Sequence, residues 1–176
     1  MDVSMKKKSA CPTLWTVPLL ALGGLGVLTQ PSTASSANVV CDTHTATPTV
    51  IATLSRQGSS EDVPILNFLP QYFSSQEALN NCQNTANTLQ SLYERDNVKY
   101  LTSDKLNDKA VVCAVERRGI GCDHYSARVL FTLNQAANPS QVLYDMLGKD
   151  FKQASPPNSR TVSRIYSDIR PSWWPF

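Results

Sequence analysis

The chain has 176 residues and a formal net charge of +2, from 16 Lys and Arg against 14 Asp and Glu. A predicted leader carries three of the basic residues and one of the acidic residues, which leaves 13 of each sign and a formally neutral chain. Composition therefore excludes a strongly basic nucleic-acid-binding protein, and we predict no nucleic-acid partner. The roughly 140 residues that remain are enough for one domain with its own hydrophobic core.

Residues 1–37 have the layout of a secretory signal peptide. Three consecutive lysines precede an apolar stretch from Leu14 to Leu28, and small residues follow, with cleavage predicted after Ala34 or Ala37. A retained membrane anchor is the alternative, but the apolar stretch is shorter than the ~20 residues that a spanning helix needs. The leader therefore predicts export across the inner membrane, to the periplasm, the cell envelope or the thylakoid lumen.

Residues 38–152 are predicted to form one domain that begins with two strands and a helix. β-Branched residues predict a strand over 47–54, and a second strand over 63–69 is placed at a sheet edge because Pro64 cannot donate a ladder hydrogen bond. Ser74 and Glu77 have the spacing of a capping box, which predicts the start of the main helix. One face of that helix carries residues at steps of three and four: Leu79, Cys82, Ala86, Leu89 and Tyr93.

The second half of the domain is predicted to contain three strands and another helix. The strands are expected over 98–103, 109–115 and 128–133, the first two joined by a hairpin turn. The helix, over 138–151, has Asn138 as its N-cap, Pro139 as its first residue and Gly148 near its C-cap. Because strands and helices do not alternate regularly, we predict an α+β fold, a small antiparallel sheet with one main helix and a second C-terminal helix.

Residues 153–176 form a Pro- and aromatic-rich C-terminal tail. It contains three arginines followed by three aromatic residues: Arg160, Arg164, Arg170, Trp173, Trp174 and Phe176. Cations beside amphipathic rings suit a lipid headgroup region or a groove on a partner, so the tail predicts a peripheral contact with a membrane surface or a protein. The alternative is that the tail folds back onto the domain and buries its rings.

Four cysteines lie outside the leader: Cys41, Cys82, Cys113 and Cys122. An even number in an exported domain predicts two disulfides. The short spacing between Cys113 and Cys122, with Gly119 and Gly121 between them, favours a disulfide across a hairpin and leaves Cys41 to pair with Cys82. The other two connectivities stay open, because spacing alone does not exclude them.

The same cysteines have two other chemical interpretations. Cys41, His44, Cys122 and His124 offer two sulfurs and two imidazoles to zinc, but only if both thiols stay reduced, and their spacings differ from those of usual zinc sites. A cysteine nucleophile would need a free thiolate beside a histidine base. Disulfide pairing removes the thiolates that both hypotheses need. We therefore predict no metal, no cofactor and no catalytic residue.

Arg117 and Arg118 lie between Cys113 and Cys122 and are further candidates for a contact surface. Two guanidinium groups at a hairpin tip could bind an anion, although "RRGIGC" lacks the third glycine and the following helix of a phosphate-binding loop. The simpler alternative is a solvated turn whose charges discourage aggregation.

An ordered set of short motifs runs through the domain from Val40 to Phe151. In chain order the motifs are Cys41, "PTVIAT", "VPIL", "YF", Cys82, "YLT", "LN", "AVVCAV", "GC", "VLFTL" and "NP". This order, with all four cysteines, resembles the circadian oscillating protein family of cyanobacteria. The chain departs from the family pattern at Asn67, Phe68 and Asn81. The resemblance implies an exported or membrane-associated protein, whose expression follows the daily clock in the named member, and it implies no reaction.

We therefore predict an exported, disulfide-stabilised protein that acts as a binding or envelope-associated module. Its partner would be a protein or a membrane surface. The alternative from another class is a small secreted hydrolase-type enzyme, which would need convergent ionisable side chains in a pocket. A binding module would instead need an exposed aromatic or charged patch.

Overall fold

The strands of the protein form two antiparallel sheets. The computed structural model describes residues 37–56, 59–95, 98–134, 138–152, 156–157 and 164–170. In chain order its elements are β1 (Ala37–Asp42), β2 (Thr49–Arg56), β3 (Ser59–Asn67), α1 (Ser75–Glu94), β4 (Tyr100–Leu106), β5 (Lys109–Val115), β6 (Arg128–Leu133), α2 (Pro139–Met146), a 3₁₀ turn (Lys149–Phe151) and β7 (Tyr166–Asp168). One sheet has the order β1-β2-β3 and the other β6-β5-β4-β7. The predicted α+β class is confirmed, with the strands divided between two sheets rather than placed in one.

Two strands, β1 and β7, are absent from the sequence prediction. β1 pairs with β2 along its whole length, so that Val40 lies opposite Ile51. β7 pairs only three residues with β4, at the edge of the second sheet. With three residues, β7 is too short to show a period in the sequence. The consequence for the C-terminal segment is large, because β7 lies within the residues that the sequence assigns to a tail.

Helix α1 begins with the predicted capping box. The backbone N–H of Glu77 donates to the Ser74 hydroxyl at 3.4 Å, and the Glu77 carboxylate accepts from the Ser74 backbone N–H at 3.0 Å. Its core-facing side is largely the predicted one, with these buried residues: Ala78, Cys82, Thr85, Ala86, Leu89 and Leu92. Leu79 and Tyr93, which the sequence places on this face, are only partly buried. Among the described residues, no helix is long and apolar enough to cross a membrane.

Replacing Ser74 with alanine is expected to lower the free energy of unfolding by about 1 kcal/mol, because it removes the hydroxyl that accepts a hydrogen bond from the Glu77 N–H. Hydrogen bonds from the Ser74 hydroxyl and backbone hold the pKa of Glu77 below its ordinary value. A lowered pKa stabilises the fold above the ordinary range of a glutamate, and this contribution is lost as the pH falls through the folded-state pKa. An NMR titration of Ser74→Ala should therefore show the Glu77 pKa rising, and an unchanged pKa would contradict the capping assignment.

The segment that follows α2 pairs with part of the edge strand β3. Its edge position agrees with the prediction from Pro64. Leu147 forms an isolated bridge with Leu66, and the Gly148 N–H donates to the Ile65 carbonyl at 2.9 Å. The predicted C-cap role of Gly148 is wrong, since the cap residue is Leu147 and the helix ends at Met146. Gly148 is required for a different reason: a Cβ there would lie only 1.8 Å from the Pro64 carbonyl oxygen.

Both sheets contribute to one main hydrophobic core. At its centre Phe68, Phe73 and Phe131 contact one another with ring centroids 5.1 to 5.9 Å apart. Two of the departures from the family pattern therefore have structural roles in this chain. Phe68 belongs to this aromatic cluster, and the Asn67 side chain donates to the Met146 carbonyl at the end of α2.

Strand β5 is buried on both of its faces. Ala110, Val112 and Ala114 belong to the main core. The alternate residues of β5 form, together with Cys122, a second, smaller cluster on the outer face: Val111, Cys113 and Val115. Cys122 comes from the segment between β5 and β6, so this segment covers the outer face of the sheet. We call residues 116–127 the disulfide loop.

Candidate contact surface

All four cysteines outside the leader are in disulfides. Cys41 pairs with Cys82, with Cα atoms 5.5 Å apart, and Cys113 pairs with Cys122, with Cα atoms 5.7 Å apart. This is the pairing favoured from the sequence. The second bond joins β5 to the disulfide loop rather than strand to strand, because Cys122 precedes β6.

The disulfides remove the thiolates that the zinc and nucleophile hypotheses require. His44 is 94% exposed and its Nδ1 contacts the Asp42 carboxylate at 2.6 Å. Hydrogen bonds from the backbone and ring of His44 lower the pKa of Asp42. His124 instead closes a local turn, where its Nδ1 lies 2.8 Å from the Ser126 hydroxyl and accepts from the Ser126 backbone N–H. Neither histidine therefore completes a metal-binding set with the cysteines.

The disulfide loop is packed against the outer face of the second sheet by polar contacts as well. The Tyr166 hydroxyl of β7 donates to the Ile120 carbonyl at 2.9 Å. The Cys122 N–H donates to Asp104 Oδ2 of β4 at 3.3 Å. Gly119 turns the chain with a φ of +90°, a conformation that side chains with a Cβ rarely adopt. These contacts fix the loop without regular secondary structure.

Gly121 lies where three charged groups converge. A Cβ at this position would lie within 3.2 Å of Asp104, Asp123 and Arg164. Arg164 forms an ion pair with Asp104 at 2.8 Å. A hydrogen bond with Tyr166, together with the Asp104 carboxylate, raises the pKa of Arg164. The cluster therefore joins the disulfide loop to the C-terminal segment through groups of opposite charge.

The predicted contact residues Arg117 and Arg118 are exposed on the disulfide loop. The guanidinium of Arg118 lies 5.1 Å from the centre of the Tyr100 ring, a cation–π contact that holds its side chain on the sheet. Tyr125, further along the same loop, is 87% exposed and its ring contacts that of His124. The loop therefore presents cations and an aromatic ring on a braced backbone.

Residues 164–170, which we call the C-terminal strap, fold back onto the domain. Ile165 and Ile169 are buried in the main core. Arg170 donates to the Tyr93 carbonyl at 2.9 Å and lies 5.2 Å from the centre of the Tyr93 ring. Arg164 and Arg170 thus contact the domain itself, although Arg164 stays partly exposed to solvent. Trp173, Trp174, Phe176 and Arg160 lie outside the described residues.

The strap itself is fixed by several hydrogen bonds from buried groups. Thr102 donates to the Ile165 carbonyl at 2.6 Å, and Ser167 donates to the Phe151 carbonyl at 2.6 Å. The Tyr93 hydroxyl donates to the Ile169 carbonyl, and removal from water raises the pKa of this tyrosine. The strap is therefore held in place up to Arg170, the last described residue.

The end of the strap lies at the same end of the sheet as Arg117 and Arg118. Strand β4 begins at Tyr100, which pairs with both Val115 of β5 and Asp168 of β7. The disulfide loop begins directly after Val115, and β7 ends at Asp168, two residues before the end of the strap. Four exposed cations lie at or next to these ends, and we call them the basic rim: Arg95, Lys99, Arg117 and Arg118. Among the described residues, the acids at this end are the exposed Glu94 and Glu116 and the partly buried Asp168.

Sequence reasoning missed the residues that brace this surface. Tyr100, Asp104 and Tyr166 have ordinary places in the sequence, in strands or in a polar segment, and nothing in their spacing joins them. Their partners are distant along the chain, as in the contact between Tyr166 and Ile120. Only the pairing of β7 with β4 brings them together.

The comparisons with known proteins agree with the resemblance drawn from the motifs. The sequence model of the family described as circadian oscillating protein COP23 matches residues 28–173. The match extends beyond the limits expected from the motifs, Val40 and Phe151, and it includes the C-terminal strap. No curated protein and no solved structure gives a significant match to the chain.

Proposed function

The chain belongs to the circadian oscillating protein COP23 family, and from that premise we propose that it is an exported binding module that docks peripherally on an anionic membrane surface of the cell envelope. The contact is made by the basic rim together with the aromatic C-terminal end. No reaction is part of the proposal.

One observation carries it: β7 brings the C-terminal strap to the end of the sheet where Arg117 and Arg118 lie. Basic side chains near an anionic bilayer each contribute about 1 kcal/mol to binding. Tryptophan rings favour the headgroup level, where one edge is apolar and the other is wet. Trp173 and Trp174 follow Arg170 closely in the sequence, and the proposal assigns them to the same surface as the basic rim.

Export is supported by the cysteine chemistry. Two disulfides in a small domain are typical of proteins that fold in an oxidising compartment. The predicted leader over residues 1–37 supports the same conclusion. The compartment itself, periplasm, cell envelope or thylakoid lumen, is part of the proposal.

Removing both loop cations, in the variant Arg117→Gln/Arg118→Gln, is expected to weaken binding to phosphatidylglycerol-containing vesicles by roughly 10- to 30-fold, since two charges near the surface are lost. The measurement is co-sedimentation of the purified protein, after removal of the leader, with phosphatidylcholine vesicles that contain about 30% phosphatidylglycerol. Binding should also fall as the salt concentration rises.

The matched control is Lys105→Gln/Lys109→Gln. These exposed lysines lie at the far ends of β4 and β5, so the variant removes the same charge from the opposite end of the sheet. It should leave binding nearly unchanged, and Trp173→Ala/Trp174→Ala should weaken it. Equal binding to neutral and anionic vesicles, or equal losses in the two charge variants, would contradict the proposal.

A further inference from the structure

Between Arg117 and Cys122, two hydrogen bonds and one cation–π contact attach the described residues of the disulfide loop to the sheet, and all three lie at or beside the C-terminal strap. Ile120 accepts a hydrogen bond from Tyr166, which is a strap residue. The Asp104 oxygen that accepts from the Cys122 N–H is the same oxygen that Arg164 binds, at 2.8 Å. The contacts of the loop and of the strap therefore meet on shared atoms.

The third attachment, the cation–π contact of Arg118, depends on the strap less directly. Arg118 lies over the ring of Tyr100. That ring meets the Tyr166 ring edge to face, with centroids 6.5 Å apart, and Tyr100 pairs with Asp168 in the β4–β7 ladder. Displacing the strap would remove one wall of the site that holds Arg118.

The disulfide does not replace these contacts. It fixes Cys122 to Cys113, but the residues on either side of Cys122 have no ladder partner in the sheet. Local turns close only part of the loop, through the bonds from His124 N–H to Gly121 and from Ala127 N–H to His124. The half of the loop that carries Arg117 and Arg118 is thus positioned largely by Ile120, Gly121 and the strap.

We propose that the C-terminal strap is a clasp that positions the disulfide loop, so that the loop and the C-terminal end respond as one cooperative unit. A contact made by either element then stabilises the other, and the coupling is reciprocal. The biological meaning of this coupling rests on the proposed function, whereas the coupling itself is a property of the protein in vesicle-free solution.

Amide hydrogen exchange of the double variant Arg164→Gln/Tyr166→Phe tests the coupling. Each lost hydrogen bond is expected to raise the equilibrium constant for local opening about fivefold. We therefore expect the amides of Cys122 and its loop neighbours to exchange about 10-fold or more faster. The amides of α1 and β2, which do not contact the loop, should keep their rates.

Two further variants sharpen the result. Lys109→Gln/Tyr125→Phe removes one exposed cationic group and one exposed phenol that take no part in the contacts between loop and strap described above, and it should change no loop rate. Gly121→Ala forces the carboxylates of Asp104 and Asp123 to move, because its Cβ would lie 2.4 Å and 2.6 Å from them, and it crowds the Arg164 guanidinium at 3.2 Å. By reciprocity it should accelerate exchange of the strap amide of Ile169, which donates to the Lys99 carbonyl.

The outcomes separate this inference from the proposed function. Unchanged loop exchange in the double variant would overturn the clasp. If exchange rises everywhere, the single variant Tyr166→Phe, which keeps the ring, decides: a rise confined to the loop supports the clasp, and a uniform rise or no rise overturns it. Coupled exchange in a protein that fails to bind anionic vesicles would overturn membrane docking alone.

Discussion

Replacing Cys41 and Cys82 together with alanine is expected to lower the free energy of unfolding by about 4 kcal/mol. The disulfide spans a sequence separation of 41 residues, so its loss frees a long loop of the unfolded chain. It also joins β1 to α1, and Cys82 is fully buried. Alanine is preferred to serine because a hydroxyl at Cys82 would lie in the core without water. Urea denaturation of the oxidised wild type and the variant measures the difference.

The second disulfide provides the comparison. Cys113→Ala/Cys122→Ala opens a separation of only nine residues and is expected to lower the free energy of unfolding by about 3 kcal/mol. The two losses should also differ in place. The first variant should accelerate amide exchange in β1, and the second should accelerate exchange in the disulfide loop. A loss below about 1 kcal/mol for the Cys41–Cys82 bond would contradict its structural role.

Gly148→Ala is expected to lower the free energy of unfolding by about 3 kcal/mol, although it adds a single methyl group. The new Cβ would lie 1.8 Å from the carbonyl oxygen of Pro64 and 2.7 Å from its carbonyl carbon. These are backbone atoms, so no side-chain rotation relieves the overlap. Relief requires the segment after α2 to move away from β3, which would disturb the bridge between Leu66 and Leu147 and the buried Phe151.

Gly119→Ala is the matched control for Gly148→Ala. Gly119 has a φ of +90° but no atom within 4 Å of the added Cβ, so it tests backbone strain without overlap. We expect a loss of about 1 to 2 kcal/mol from the left-handed conformation alone. Thermal unfolding of both variants measures the contrast. Equal stability of Gly148→Ala and wild type would show that β3 and the segment after α2 are not held as described.

The features predicted correctly are those that depend on residues close together in the chain. The capping box needs only Ser74 and Glu77, and its two hydrogen bonds form as expected. The turn between β4 and β5 is made by Asn107 and Asp108, both with positive φ, as a tight hairpin requires. The short spacing of Cys113 and Cys122 likewise favoured their bond. Each of these outcomes is decided by local sterics and hydrogen bonding.

The role of Gly148 shows where local reasoning stops. A glycine near the end of a helical pattern predicts a left-handed C-cap, yet its φ is −61°. The reason for glycine is the approach of Pro64, which lies in an earlier strand. No pattern within α2 contains that information.

By itself, the sequence determined the α+β class and, through its ordered motifs, the family, because these depend on the order of elements, and it favoured the observed disulfide pairing through the short spacing of Cys113 and Cys122. Only the tertiary structure decided which arginines contact carboxylate or backbone groups of the domain. Arg164 and Arg170 are held by Asp104 and Tyr93, whereas Arg117 and Arg118 remain at the surface. The physical reason is that β7 has too few residues to show a period, and its position is set by buried isoleucines and by hydrogen bonds to elements far away in the chain.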